Sequence, residues 1–172
     1  MIKLIWRYLI LKRLIAGDYD RPLDDIKIME YWTSGDHGTV TQDEIDNIIE
    51  RNADCIFHGF AYRAVEVKQS KIDDINNLDL IKQQININGG YKSFTKDISW
   101  LIYDIEDHEL MFDEGDAVII HSNITGLDVN KFCSKYNNML DKSSPMFLFQ
   151  NQEEVIAKFS DFEIVYAFGK QL

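Results

Sequence analysis

A chain of 172 residues, 45% hydrophobic and 27% charged, has the length of one domain whose core buries about 70% of the unfolded surface without metal or disulfide support. That composition excludes the disordered and collagen-like classes. A formal net charge of -11 argues against broad contact with nucleic acid, since phosphate binding asks for a cationic surface, and leaves an acidic mimic of DNA as an alternative.

The first stretch, Met1 to Ile15, is apolar but carries Lys3, Arg7, Lys12 and Arg13 and no acid. It is too short and too charged to span a bilayer, and no small-residue cleavage site follows, so it reads as a basic amphipathic helix rather than a signal peptide. Docking on a partner or a membrane surface is its secondary reading. The two cysteines, Cys55 and Cys133, stand in apolar surroundings and read as reduced, buried thiols, which points to the cytoplasm.

Pro22 suits the first position of a second helix, which runs through Ile26 and Met29 to Tyr31 or Trp32. Thr41-Gln42-Asp43-Glu44 is a capping box opening a third helix, with Ile45, Ile48 and Ile49 on one face. Residues 1–52 are therefore helical, and residues 53–172 are mainly β within the same single domain. From Cys55 to Val67 the residues alternate as in a strand, and Arg63 is the sole charge on the odd face. A guanidinium among apolar neighbours needs an anion, supplied either by a structural salt bridge or by a ligand phosphate held bidentately.

Ser70 to Asp73 looks like another helix cap, Gly89-Gly90 is a turn, and Tyr91 to Thr95 reads as a short strand with Ser93 and Thr95 on one face. Asp97 to Ile105 is expected to be helical, and the seven acids among the thirteen residues 104–116 form a solvated face without calcium-loop spacing. Asp116 to Asn123 is a core strand, Asp128 to Phe132 a short helix and Asn137 to Pro145 an exposed loop. Glu154 to Phe159 and Phe162 to Phe168 are expected to pair as a hairpin around Ser160-Asp161. The four histidines are dispersed without metal-ligand spacing, so no metal site is expected.

The stretch Phe149-Gln150-Asn151-Gln152-Glu153-Glu154-Val155-Ile156 carries two acids and two types of amide into an apolar β segment. Alternation in an extended chain puts Gln152 and Glu154 on one face about 7 Å apart, close enough to grip a small polar ligand. The competing register pairs Asn151 with Glu153.

Taken together, Tyr62-Arg63-Ala64-Val65, Ser93-Phe94-Thr95 and Gln152-Glu153-Glu154-Val155-Ile156 resemble the arginine, serine and glutamate motifs of the mono-ADP-ribosyltransferase superfamily. They stand in the family's order, 30 and 61 residues apart. The resemblance covers roughly residues 25–168, and the chain is similar in size to small bacterial exoenzymes and phage-encoded transferases. It implies an α+β fold in which two packed antiparallel sheets form an NAD cleft behind a helical N-terminal third.

It also implies NAD as co-substrate, no metal, and transfer of ADP-ribose to a macromolecule with release of nicotinamide. A host or target protein is the expected acceptor, with nucleic acid less favoured. Glu154 would be the catalytic carboxylate, Ser93 its support, and Arg63 the diphosphate ligand, with Tyr62, Ala64, Phe94 and Thr95 around the cofactor. Gln152 and Phe149 would address the acceptor. Ala64 stands where glycine is common in the family, and Lys96 where a further hydroxyl is frequent. Two other functions stay open: a catalytically silent acidic binding or inhibitor protein on the same scaffold, and a plain NAD glycohydrolase.

Overall fold

The computed structural model describes residues 20–34, 39–67, 82, 85, 90–106, 116–140, 142–144, 146, 152–167 and 170–171. The expected basic helix at 1–15, the helix after Ser70, and Phe149 lie outside these residues.

Helix α1 (Asp20–Thr33) starts two residues before Pro22, leaving the proline in the first turn, where its missing N–H has no helical partner to lose. Ile26, Met29 and Trp32 form its buried stripe, at the spacing that keeps residues on one face of a helix. Helix α2 (Gln42–Arg51) is closed at its start by the expected box. The Thr41 hydroxyl accepts the Glu44 N–H at 3.3 Å, and the Glu44 carboxylate accepts the Thr41 N–H at 2.7 Å. A short 3-10 turn (Ala53–Cys55) then leads into β1 (Ile56–Val67).

The remaining elements are β2 (Lys92–Thr95), α3 (Ile98–Glu106), β3 (Asp116–Asp128), α4 (Val129–Lys135), β4 (Glu154–Ala157), β5 (Glu163–Ala167) and β6 (Lys170–Gln171). The mixed α+β class is as expected. Among the described residues all six strands join in one antiparallel sheet, in the order β1-β2-β4-β3-β5-β6, and β1 also pairs β3. So β1, β2, β4 and β3 close into a ring of pairings, where two separate packed sheets had been expected.

The reason is the length of β3. Its 13 residues pair β1 along the whole of one edge, from Ile56↔Leu127 to Val67↔Asp116. The other edge has room for two short strands in tandem. β4 takes Gly126 to Asp128, and β5 takes Val118 to His121. The expected hairpin between β4 and β5 is therefore absent: each satisfies its backbone on β3 or on its far neighbour, β2 or β6. The buried Ser122 hydroxyl pins the step between them by donating to the Asp161 carbonyl at 2.5 Å.

Alternation sorts the side chains. Ala61, Phe94, Ile124, Val155 and Ala157 fill the inside of the ring. Outside, α1, α2 and α4 cover Leu127 and Ile156, while α3 packs on Ile119, Tyr166, Tyr62 and Ala64. The segment after α4, expected to be an exposed loop, is exposed at Asn137, Asn138, Lys142 and Ser143 but dips into the core at Leu140 and Ser144, where Leu140 completes the cluster between the helices.

One buried amide ties this helical layer together. Asn52 donates to the Ile48 carbonyl at 2.8 Å, and its side-chain oxygen accepts from Tyr136 at 2.8 Å and from Lys135 at 3.0 Å. Asp25 of α1, also buried, takes the Arg51 guanidinium through both carboxylate oxygens. Asn52 and Asp25, both stripped of water by burial, are each given partners, which ties α1 and α4 to α2.

Candidate active site

β2 and β4 pair with Thr95 opposite Glu154, Phe94 opposite Val155 and Ser93 opposite Ile156. This register turns Phe94 and Val155 inward and aims Ser93, Thr95 and Glu154 at α1. The Ser93 hydroxyl donates to Glu154 Oε1 at 2.5 Å. From α1, the Trp32 indole N–H lies 3.0 Å from Ser93 Oγ and 3.2 Å from Glu154 Oε1.

Arg63 arrives from β1. That strand meets β2 at a single pair, Tyr62↔Thr95, so the Ser93 carbonyl is reached by a side chain instead of by a ladder N–H: Arg63 Nη1 donates to it at 2.6 Å. Residues 30 and 61 positions apart along the chain are thus joined through one serine, by its carbonyl on one side and its hydroxyl on the other.

Burial pushes the Glu154 carboxyl above the usual carboxylate range, against the hydrogen bonds from Ser93 and Trp32 and the charge of Arg63, which pull it down. Desolvation likewise lowers the Arg63 guanidinium, and the charge of Glu154 opposes it. Both groups are held in surroundings that disfavour their charges. Among the described residues Arg63 makes one hydrogen bond, to a neutral carbonyl, and forms no ion pair. Glu154 Oε1 receives two donors, whereas Oε2 accepts none among the described residues.

The chain just before Glu154 departs from the extended geometry expected of it. β4 begins at Glu154, and Glu153 has φ 48°, a left-handed conformation that costs a non-glycine residue about 1–3 kcal/mol. Its neighbours hold it there. The buried Thr95 hydroxyl donates to the Gln152 carbonyl and accepts the Asp97 N–H at 3.1 Å, and the Lys96 N–H donates to the Glu153 carbonyl at 3.2 Å.

The common face expected for Gln152 and Glu154 is therefore not supplied by strand alternation, since β4 starts at Glu154 and the left-handed Glu153 breaks the phase between them. The register that would have used Glu153 is also settled: its side chain is exposed, with Lys96 Nζ at 3.9 Å, while Glu154 meets Ser93.

Of the residues singled out from the sequence, Arg63, Ser93 and Glu154 come together. Thr95 sits beside them, its hydroxyl spent on the backbone. Phe94 lies inside the ring, edge-on to Phe159 at 5.2 Å, and Tyr62 and Ala64 face α3, on the side of β1 away from Arg63. The sequence reading missed Trp32 as a partner of the carboxylate. Its place in the stripe of Ile26 and Met29 marks it as a buried residue, but nothing local to α1 reveals what its N–H touches.

A cleft of about 390 Å³ lies elsewhere on the sheet, lined by Phe60, His121, Asn123, Phe162 and Glu163 among others and by none of these site residues. Among the described residues no cluster of three His, Cys, Asp or Glu is arranged to hold a metal, and no helix is long and apolar enough to cross a membrane. Comparison with protein-family models, curated proteins and solved structures returns no match.

The arrangement suits one kind of chemistry. A desolvated carboxylate with one open oxygen can accept a hydrogen bond from a ligand hydroxyl and stabilise positive charge developing beside it. A nearby guanidinium with unspent donors can hold an anion.

Proposed function

We propose that the chain is an NAD-dependent mono-ADP-ribosyltransferase, an intracellular effector of the phage or toxin kind, built on a variant of that superfamily's fold, with NAD held where β2 and β4 bring Ser93 and Glu154 together. The observation that carries this reading is the 2.5 Å hydrogen bond between Ser93 and Glu154, with Arg63 on the same serine's carbonyl. A serine, a glutamate and an arginine from three distant stretches are what the sequence resemblance requires to meet.

In this reading the bond between ribose C1 and the nicotinamide nitrogen breaks, and nicotinamide leaves with the electron pair. The remaining ribose carries positive charge shared between C1 and the ring oxygen. Glu154, ionised, accepts the hydrogen bond of the ribose 2′-hydroxyl and stabilises that charge, a contribution of about 3 to 4 kcal/mol for a well-placed group. An acceptor nucleophile then bonds to C1 and gives up its proton to solvent. Arg63 holds the diphosphate: its only described partner is uncharged, so its remaining N–H groups suit two phosphate oxygens. Ser93 keeps the carboxylate in place, and Gln152, with Phe149, addresses a protein acceptor.

Labelled NAD incubated with the protein and a cell lysate tests the reading. Label should appear on a macromolecule with the native chain and not with Glu154→Gln. Release of nicotinamide without any labelled acceptor identifies an NAD glycohydrolase instead. Neither release nor labelling, from a folded chain, leaves the acidic binding protein.

A further inference from the structure

We infer that Trp32 is a positioning residue that sorts the two oxygens of Glu154, tying Oε1 down and leaving Oε2 as the one that meets the ligand; this rests on the transferase reading above. The geometry is a closed triangle. The Ser93 hydroxyl and the Trp32 indole N–H both donate to Oε1, at 2.5 and 3.2 Å, and the indole also donates to Ser93 Oγ at 3.0 Å.

A glutamate carboxylate on three rotatable bonds and held by one hydroxyl can exchange its oxygens by a half-turn of the terminal torsion, which is broad and two-fold. A second donor fixed in the protein opposes that turn. Trp32 is such a donor: it is 3% exposed, it sits in the stripe that anchors α1, and α1 is itself bound to α2 through Asp25 and Arg51. Oε2 is then presented consistently, and any ligand hydroxyl meets an acceptor already oriented.

The other groups acting electrostatically on this carboxylate are Arg63 from β1 and, from α4, Cys133, whose thiol burial pushes up to about 12 and keeps neutral. The indole is thus the one donor from the helical layer that touches it among the described residues.

The test reads the bond and its consequence separately. In the ¹⁵N-labelled protein the indole N–H resonance of Trp32, assigned by its loss in Trp32→Phe, should move with pH as Glu154 ionises. In Glu154→Gln it should be displaced and no longer titrate. An indole resonance indifferent to both overturns the proposal.

In Trp32→Phe, which retains a ring for the core, kcat for NAD cleavage should fall on the order of 10-fold, as for one hydrogen bond to a charged group. KM should change much less, and the acidic limb of the pH profile should move to higher pH. A fall confined to KM, or an unmoved acidic limb, also overturns it. Should the native chain cleave no NAD while the indole titration persists, the transferase reading fails and the orientation of Glu154 by Trp32 stands.

Discussion

Ser93 and Glu154 are diagonal neighbours on the β2–β4 ladder. Thr95 is the residue directly opposite the glutamate, yet the Ser93 hydroxyl reaches the carboxylate, while Thr95 donates to the carbonyl of Gln152. Two hydroxyls of one strand face thus have different work, and substitution separates them. Ser93→Ala should lower the rate of nicotinamide release by folded molecules roughly 10- to 100-fold, as for loss of a hydrogen bond to a charged group. Thr95→Val should cost about 1–2 kcal/mol in urea unfolding, because it leaves the Gln152 carbonyl and the Asp97 N–H without their partner.

Glu154 has a folded-state pKa raised above its unfolded value by burial, so the folded chain holds this proton more tightly than the unfolded one. The stability this provides is fully present below the ordinary carboxylate value of about 4.3 and is lost as pH rises through the folded value. Glu154→Gln removes that dependence. Urea unfolding followed across pH should show the variant gaining on the native chain as pH rises from about 4.3 through the folded value, in the direction opposite to its effect on catalysis.

Gly126 allows β4 to close on β3. A Cβ at this position would fall within contact of the Ile156 carbonyl oxygen and 2.6 Å from Ala157 Cβ, and both obstacles belong to a paired strand. Gly126→Ala should cost about 1–3 kcal/mol by overpacking, measured as a lowered urea midpoint. Some loss of activity should accompany it, since β4 carries Glu154 at its first residue.

Asn52 is fully buried and serves α2, α4 and Asp25 at once. Asn52→Leu fills a similar volume but takes the acceptor from the Tyr136 hydroxyl and a donor from the buried Asp25 carboxylate, while Lys135 keeps its pair with Asp54. About 2–3 kcal/mol of stability should be lost, at the upper end for an unsatisfied buried group. NAD cleavage by the fraction that stays folded should be close to native, because Asn52 touches none of the site residues.

What the sequence disclosed was whatever is written locally. The capping box at Thr41, the alternation of β1 and the odd-face charge of Arg63 each depend on residues a few positions apart. The order of the three motifs then brought Arg63, Ser93 and Glu154 into one expectation. The features it hid depend on distant partners.

The tandem placement of β4 and β5 along β3 follows from the length of β3, which extended past Asn123 to Asp128, and from the Ser122 hydroxyl catching Asp161. The left-handed Glu153 carries no glycine signature, because its conformation is enforced by Thr95 and Lys96 from another strand. Trp32, which the sequence marked only as a possible end of the second helix, is a core residue; its second task is visible only when β2 and β4 are set against α1.

Nicotinamide release from NAD, followed in the native chain and in Glu154→Gln at equal folded concentration, tests the central claim most directly. The account predicts measurable release by the native chain and a fall of at least about 100-fold in the variant, in line with removal of one preorganised electrostatic group. Equal rates in the two proteins, or no release from a native chain shown to be folded, would contradict it.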